Sequence, residues 1–133
     1  MKYLLDTNIL IDHIRGKREI KIDVLEEGST ISIITLAELY YGAAKSNDPK
    51  KTFTIIRKLL LDLELQVRTP DEETVFEFGK MKAELEVKGT RLEDFDLLIA
   101  ATAKAENLML VTKNLKHFKR ITGLKLYEPT LTD

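Results

Sequence analysis

Asp94-Phe95-Asp96-Leu97-Leu98-Ile99-Ala100-Ala101-Thr102-Ala103, with its continuation Leu108-Met109-Leu110-Val111-Thr112-Lys113-Asn114, is the stretch whose reading decides the fold. The first part reads as a helix that opens with acids and then turns apolar. After Glu106-Asn107 comes a short apolar run of strand character, Leu108 to Val111, ending in polar Thr112-Lys113-Asn114. Polar groups therefore stand at the first turn of a helix and again just past the carboxyl end of a strand. In an open α/β sheet these are the two places where ligand groups gather. Asp6 and Glu38 make most sense as partners of this stretch.

Upstream, Lys2 to Leu5 is a short strand running into Asp6-Thr7-Asn8 and a helix led by Ile9, Leu10 and Ile11 that stops near Gly16. Taken alone, Asp6 also reads as a helix cap, because Asp, Thr and Asn accept from the free N–H groups of a first turn. Ile20 to Glu27 is a second short helix closed by Gly28, and Thr30 to Ile34 is a β-branched strand. Thr35 and Glu38 have capping-box spacing, so Glu38 reads equally as a cap and as a site acid. Leu36, Leu39, Tyr40 and Ala43 form the apolar stripe of that helix.

Asn47-Asp48-Pro49 precedes a helix from about Lys50 to Leu65, and Gln66 to Arg68 is a short strand. Thr69-Pro70-Asp71-Glu72 starts the next helix, with Thr69 as cap and Pro70 at the first position. Val75, Phe78, Met81 and Leu85 point inward along it, and it ends near Gly89. A last strand, Leu124 to Tyr127, is stopped by Pro129. Strands separated by helical stretches predict one α/β domain over residues 1–133, a three-layer α/β/α arrangement with a short, mostly parallel sheet between helices.

The 133 residues carry 44% hydrophobic and 32% charged side chains and a formal net charge of −1. That balance suits a soluble globular domain and argues against a broad nonspecific grip on nucleic acid. No apolar run approaches the roughly 20 residues that span a bilayer, and the start is too short in its apolar part for a signal peptide. There is no cysteine, hence no disulfide framework and no thiolate metal site; a cytoplasmic protein is the expectation. Two basic groups, Lys113, Lys116, Lys119 and Arg120, and Lys45, Lys50, Lys51, Arg57 and Lys58, read as solvated faces or, beside a carboxylate site, as phosphate guides. His13 and His117 have no metal-ligand spacing, and the scattered glycines match no nucleotide fingerprint.

If Asp6, Glu38 and Asp96 converge, their mutual repulsion must raise a pKa or be neutralised by a cation. Oxygen donors without Cys or paired His select Mg²⁺ or Mn²⁺ over zinc. Asn114 and Thr112 would serve as neutral ligand or as orienting hydrogen-bond partners, as Thr7 would for Asp6. Asp94 and Asp96 point about 200° apart on a helix, which favours Asp94 as cap and Asp96 as ligand.

Leu4-Leu5-Asp6-Thr7-Asn8, Ile33-Ile34-Thr35-Leu36-Ala37-Glu38-Leu39-Tyr40-Tyr41-Gly42, Asp96-Leu97-Leu98-Ile99-Ala100-Ala101 and Val111-Thr112-Lys113-Asn114 resemble the ordered motifs of PIN-domain ribonucleases. More narrowly, the chain is similar to the VapC toxins of type II toxin–antitoxin systems, over nearly its whole length. The resemblance implies an open α/β/α sheet, dependence on Mg²⁺ or Mn²⁺ and endonucleolytic cleavage of RNA. It also implies a homodimer, inhibition by a VapB-type antitoxin, and contact with DNA only through that antitoxin. It puts Asp6, Glu38 and Asp96 at the metal-binding acids. Where many relatives carry Asp, this chain has Asn114, a neutral ligand that weakens a second metal position but not the first.

Two rival readings share these residues. A phospho-receiver domain also gathers acids at a parallel sheet edge, but it needs an aspartate ending the middle strand, and Thr30 to Ile34 runs into Thr35 instead. A catalytically silent PIN-like domain would bind RNA or a partner without cutting; retention of three acids speaks against it. Tyr40, Tyr41, Ile9, Leu10 and Leu36 offer more apolar surface than two helices need, a candidate partner groove.

Overall fold

The computed structural model describes residues 2–128. In order along the chain the elements are β1 (Tyr3–Leu5), α1 (Thr7–Ile14), α2 (Ile22–Glu26), β2 (Ser29–Ser32), α3 (Ile33–Ala44), α4 (Pro49–Asp62), β3 (Gln66–Arg68), α5 (Glu72–Val87), α6 (Asp94–Ala105), β4 (Met109–Val111) and α7 (Leu115–Phe118). The sheet has four strands in the order β3-β2-β1-β4, and every pairing among them is parallel. The expected α/β/α sandwich is therefore observed.

Strand period explains the two layers. Leu4 of β1 and Leu110 of β4 face one way, into a core with Met81 and Leu85 of α5, Leu97, Ile99 and Ala100 of α6, and Phe118. Tyr3, Leu5, Ile31 and Val111 face the other way, against Leu10, Val24, Leu39, Ala43 and Ile56. Each fully buried Leu or Phe contributes about 1.5–3 kcal/mol, and β1 is apolar throughout because both faces of the sheet are covered there.

Order 3-2-1-4 has a consequence for the site. From β1 the chain winds outward through β2 and β3, then returns to place β4 on the other side of β1. The reversal makes a crevice between the carboxyl ends of β1 and β4, the place where ligands bind in open α/β sheets. Asp6 follows β1 and Thr112 follows β4, and the Asp6 backbone N–H donates to the Val111 carbonyl at 2.9 Å.

Several expected boundaries move. β2 ends at Ser32, whose hydroxyl accepts from the Ile34 N–H and caps α3; Thr35 lies inside the helix, so the Thr35–Glu38 capping box does not form. Asp71, not Thr69, caps α5, accepting from the Thr74 N–H at 2.9 Å and the Thr74 hydroxyl at 3.0 Å. That shift turns Thr74 inward and leaves Val75 exposed, while Met81 and Leu85 are buried as expected. Residues 124–127 form no strand. They hold a single parallel bridge, Leu110 to Leu126, with two backbone hydrogen bonds of 2.9 Å; Pro129 lies outside the described residues.

Candidate active site

Asp6 ends the buried strand β1 and is only 3% exposed. Its Oδ1 accepts from the Thr7 N–H at 2.8 Å, so it is the cap of α1. Its Oδ2 accepts from the Thr112 hydroxyl at 2.7 Å and from the Asn8 amide at 3.3 Å. Burial pushes the Asp6 carboxyl above the ordinary carboxylate range, while the bonds from Thr112, Thr7 and Asn8 pull it partway back. Cap and site acid are thus one residue.

Thr7 links the next acid. Its hydroxyl donates to Glu38 Oε1 at 2.6 Å and lies 3.1 Å from the Thr35 hydroxyl. A threonine has one proton to give, and the Glu38 carboxylate at the shorter distance takes the larger share, the Thr35 hydroxyl oxygen accepting more weakly. Glu38, freed from capping, is held toward Asp6 from the second turn of α3 by this bond from Thr7.

Asp96 stands in the first turn of α6, half-buried. Its carboxyl is pushed up to about 6, first by burial, then by the negative charges of Asp6, Glu38 and Glu93, with His117 opposing. The three expected acids therefore share one electrostatic field. They do not form a finished cage: among the described residues no three His, Cys, Asp or Glu side chains close round a common point. An oxygen-only donor set of this kind fits Mg²⁺ or Mn²⁺, since Mg²⁺ is held by one or two carboxylates plus water and substrate phosphate, not by an all-protein cage.

The remaining expected residues separate. Thr112 is the buried donor that fixes Asp6, and its Oγ1 also accepts from the Asn114 N–H at 3.1 Å. Asn114 itself is exposed and lines the same cleft as Asp96. Asp94 is not a cap: Glu93 holds the cap position, and exposed Asp94 pairs with Lys82 at 3.0 Å. His13 is satisfied, its Nδ1 accepting from the Ile20 N–H at 3.2 Å. Of the basic group near the site, Lys113 pairs with Asp12 at 2.8 Å and Lys119 with Glu128 at 2.9 Å, which leaves less free charge for phosphate than the sequence suggested.

Two residues escaped sequence reading as parts of the site. Asn8 bridges β1 and β4, giving its amide N–H to Asp6 and accepting from the Lys113 N–H at 3.3 Å; its place in Asp6-Thr7-Asn8 was the available signal. Glu93 adds to the field at Asp96, and only its position three residues upstream could have marked it.

Residues 3–124 match the PIN domain family model. Ribonuclease VapC2 of Haemophilus influenzae is 37% identical over 131 residues, covering 94% of this chain and 96% of that protein. The tRNA(fMet)-specific endonuclease VapC of Salmonella typhimurium is 36% identical over 129 residues, covering 95% of this chain and 96% of that protein. Among solved structures, VapBC2 from Rickettsia felis bound to a DNA fragment from their promoter superposes with a TM-score of 0.88 at 36% identity, covering 98% of this chain and 100% of that one. With the sheet order, the β1/β4 crevice and near-complete coverage in agreement, the chain belongs to the PIN-domain family, in its VapC branch.

Proposed function

We propose that this protein is a metal-dependent endoribonuclease and the toxin half of a VapBC-type pair. The observation that carries the reading is the convergence of Asp6, Glu38 and Asp96 at the sheet's reversal point, where burial first and then the charges of Asp6, Glu38 and Glu93 push Asp96 up to about 6. Asp6, Asp96 and Glu38 are the residues that would hold Mg²⁺ or Mn²⁺, and such an ion supplies polarisation of a phosphoryl oxygen and water of lowered pKa. Thr112, Thr7 and Asn8 fix the Asp6 carboxylate before substrate arrives. Glu38, oriented by Thr7, positions the attacking water. Water adds to phosphorus in line with the P–O3′ bond; that bond breaks, and the products carry a 5′-phosphate and a 3′-hydroxyl.

The test is end-mapping of total RNA after brief induction of the wild type and of Asp6→Asn. New 5′-phosphorylated ends in the wild type alone are expected. The same ends from both proteins would remove Asp6 from catalysis, and RNA bound in Mg²⁺ without any cut would make this a binding domain.

A protein partner has physical support. Ile33, Ala37, Tyr41 and Ala44 are exposed along one face of α3, with Tyr41 67% exposed; Leu10, by contrast, is fully buried and drops out of the groove. A VapB-type antitoxin would cover that face. A separate face of α5, Phe76, Gly79, Ala83 and Val87, is also exposed at helical spacing and suits a second copy of the chain. Tyr41→Glu is expected to weaken co-purification with the antitoxin at least about tenfold without changing the elution volume of the toxin alone. Undiminished co-purification would place the antitoxin elsewhere.

A further inference from the structure

Beside Asp96 lies a cleft of about 590 Å³, bounded by the end of α5, residues 88–93, the start of α6 and the start of α7. Leu85, Leu92 and Leu97 supply its apolar lining, and Arg91, Glu93, Asn114 and His117 are among its polar lining. The segment that carries Arg91 and Glu93 is pinned rather than loose. Thr90 donates its N–H to the Leu85 carbonyl at 2.9 Å, and Leu92 packs on the core beneath.

The charge balance says what such a cleft accepts. Glu86, Glu93, Asp94 and Asp96 line it against Lys82 and Arg91, and Lys82 is already paired with Asp94. Away from Asp96 and any ion it holds, Glu86 and Glu93 outweigh Arg91, so a phosphodiester would be repelled there and the neutral part of a nucleotide would not. The lining is more polar than apolar, three leucines beside nine polar or charged residues, which suits a ligand that stacks on one face and hydrogen-bonds at its edges. Unstacked RNA bases are read by stacking on aromatic rings or guanidinium planes and by hydrogen bonds to their edges. Arg91 has no ion-pair partner among the described residues and is free to lie over a ring.

We propose that this cleft is the base-recognition subsite of the nuclease, an inference that rests on the endoribonuclease reading above. It takes a base flanking the scissile phosphate, with Arg91 over the ring face and the Glu93 carboxylate accepting from an exocyclic amino group. Adenine, cytosine and guanine carry that group and uracil does not, so the cut falls beside an amino-bearing base.

The test is cleavage of a single-stranded RNA pool, randomised on both sides of a fixed centre, in Mg²⁺, followed by sequencing of the new ends. Wild-type protein is expected to disfavour uracil at one flanking position. Glu93→Gln, whose amide N–H can also donate to uracil O4, should relax that preference about tenfold, and Glu93→Asp, which keeps an acceptor-only carboxylate, should retain most of it. Arg91→Ala should raise KM by about tenfold for all sequences with kcat little changed. Preference is a ratio measured on one protein, so altered charge near Asp96 does not imitate the result. Both side chains are exposed, and melting temperatures within about 2 °C of the parent are expected.

A wild type that cuts without discriminating against uracil, or a Glu93→Gln protein that keeps the wild-type pattern, overturns the subsite and leaves the nuclease reading standing. A wild type that cuts no RNA removes that reading and the subsite with it.

Discussion

Asp96→Asn is expected to lower RNA cleavage on the order of a thousandfold while leaving the protein at least as stable as before. The two effects have one cause. Asp96 sits half-buried in the field of Asp6, Glu38 and Glu93, and its carboxyl rises to about 6 because the folded chain resists that last negative charge. Removing the charge relieves the fold and disables the site together. Steady-state cleavage of a fixed RNA and thermal melting without added metal check both halves. A variant that cuts at the parental rate, or one that melts far below the parent, would show that Asp96 serves the core and not the chemistry.

A second expectation concerns pH and divalent ions. In the unfolded chain Asp96 titrates near 3.8, and in the folded chain at about 6. Between those values the native state holds the extra proton, so its stability falls as pH rises from about 4 to 6 and then levels off. Asp6 is shifted in the same direction by burial and adds to the slope. Metal-free protein should therefore melt on the order of 3 °C higher at pH 5 than at pH 7.5. Mg²⁺ or Mn²⁺ should restore the loss at pH 7.5 and do little at pH 5, where protons compete for the same oxygens. Asp96→Asn should flatten the metal-free pH profile. Cleavage by the wild type at limiting Mg²⁺ should rise with pH as Asp96 gives up its proton to the ion. A stability profile that climbs from pH 5 to 7.5 without metal would contradict the buried, repelling arrangement.

The site was legible where topology carried it. Asp6 and Thr112 lie far apart in sequence, yet both follow apolar strands, and a parallel sheet brings such positions to one edge. The 2.7 Å bond between them is what that expectation requires. Local chemistry was less reliable. Thr35 and Glu38 have the spacing of a capping box, but burial of Ile31 and Ser32 fixes where β2 stops, and Ser32 captures the cap one turn early. At Thr69-Pro70-Asp71 two residues, Thr69 and Asp71, compete for the cap position, and sequence alone does not rank them. Asp94 lost its cap role because α6 begins at Asp94 itself, with Glu93 in the cap position, and Lys82 on α5 supplies a partner invisible from the sequence. Leu10 looked available for a partner because an eight-residue helix needs little core; the core on its side of the sheet, with Leu5, Val24 and Leu39, takes it inside.

The hydroxyl of Thr112 grips a carboxylate 106 positions earlier in the chain. Synthesis from the amino end therefore delivers Asp6 long before its anchor exists, and the edge of β1 that β4 will cover stays bare until residues 109–111 emerge. A truncated product ending before β4 would carry three acids and no crevice to gather them. On the proposed function, competence to cut thus waits for β4 and comes all at once.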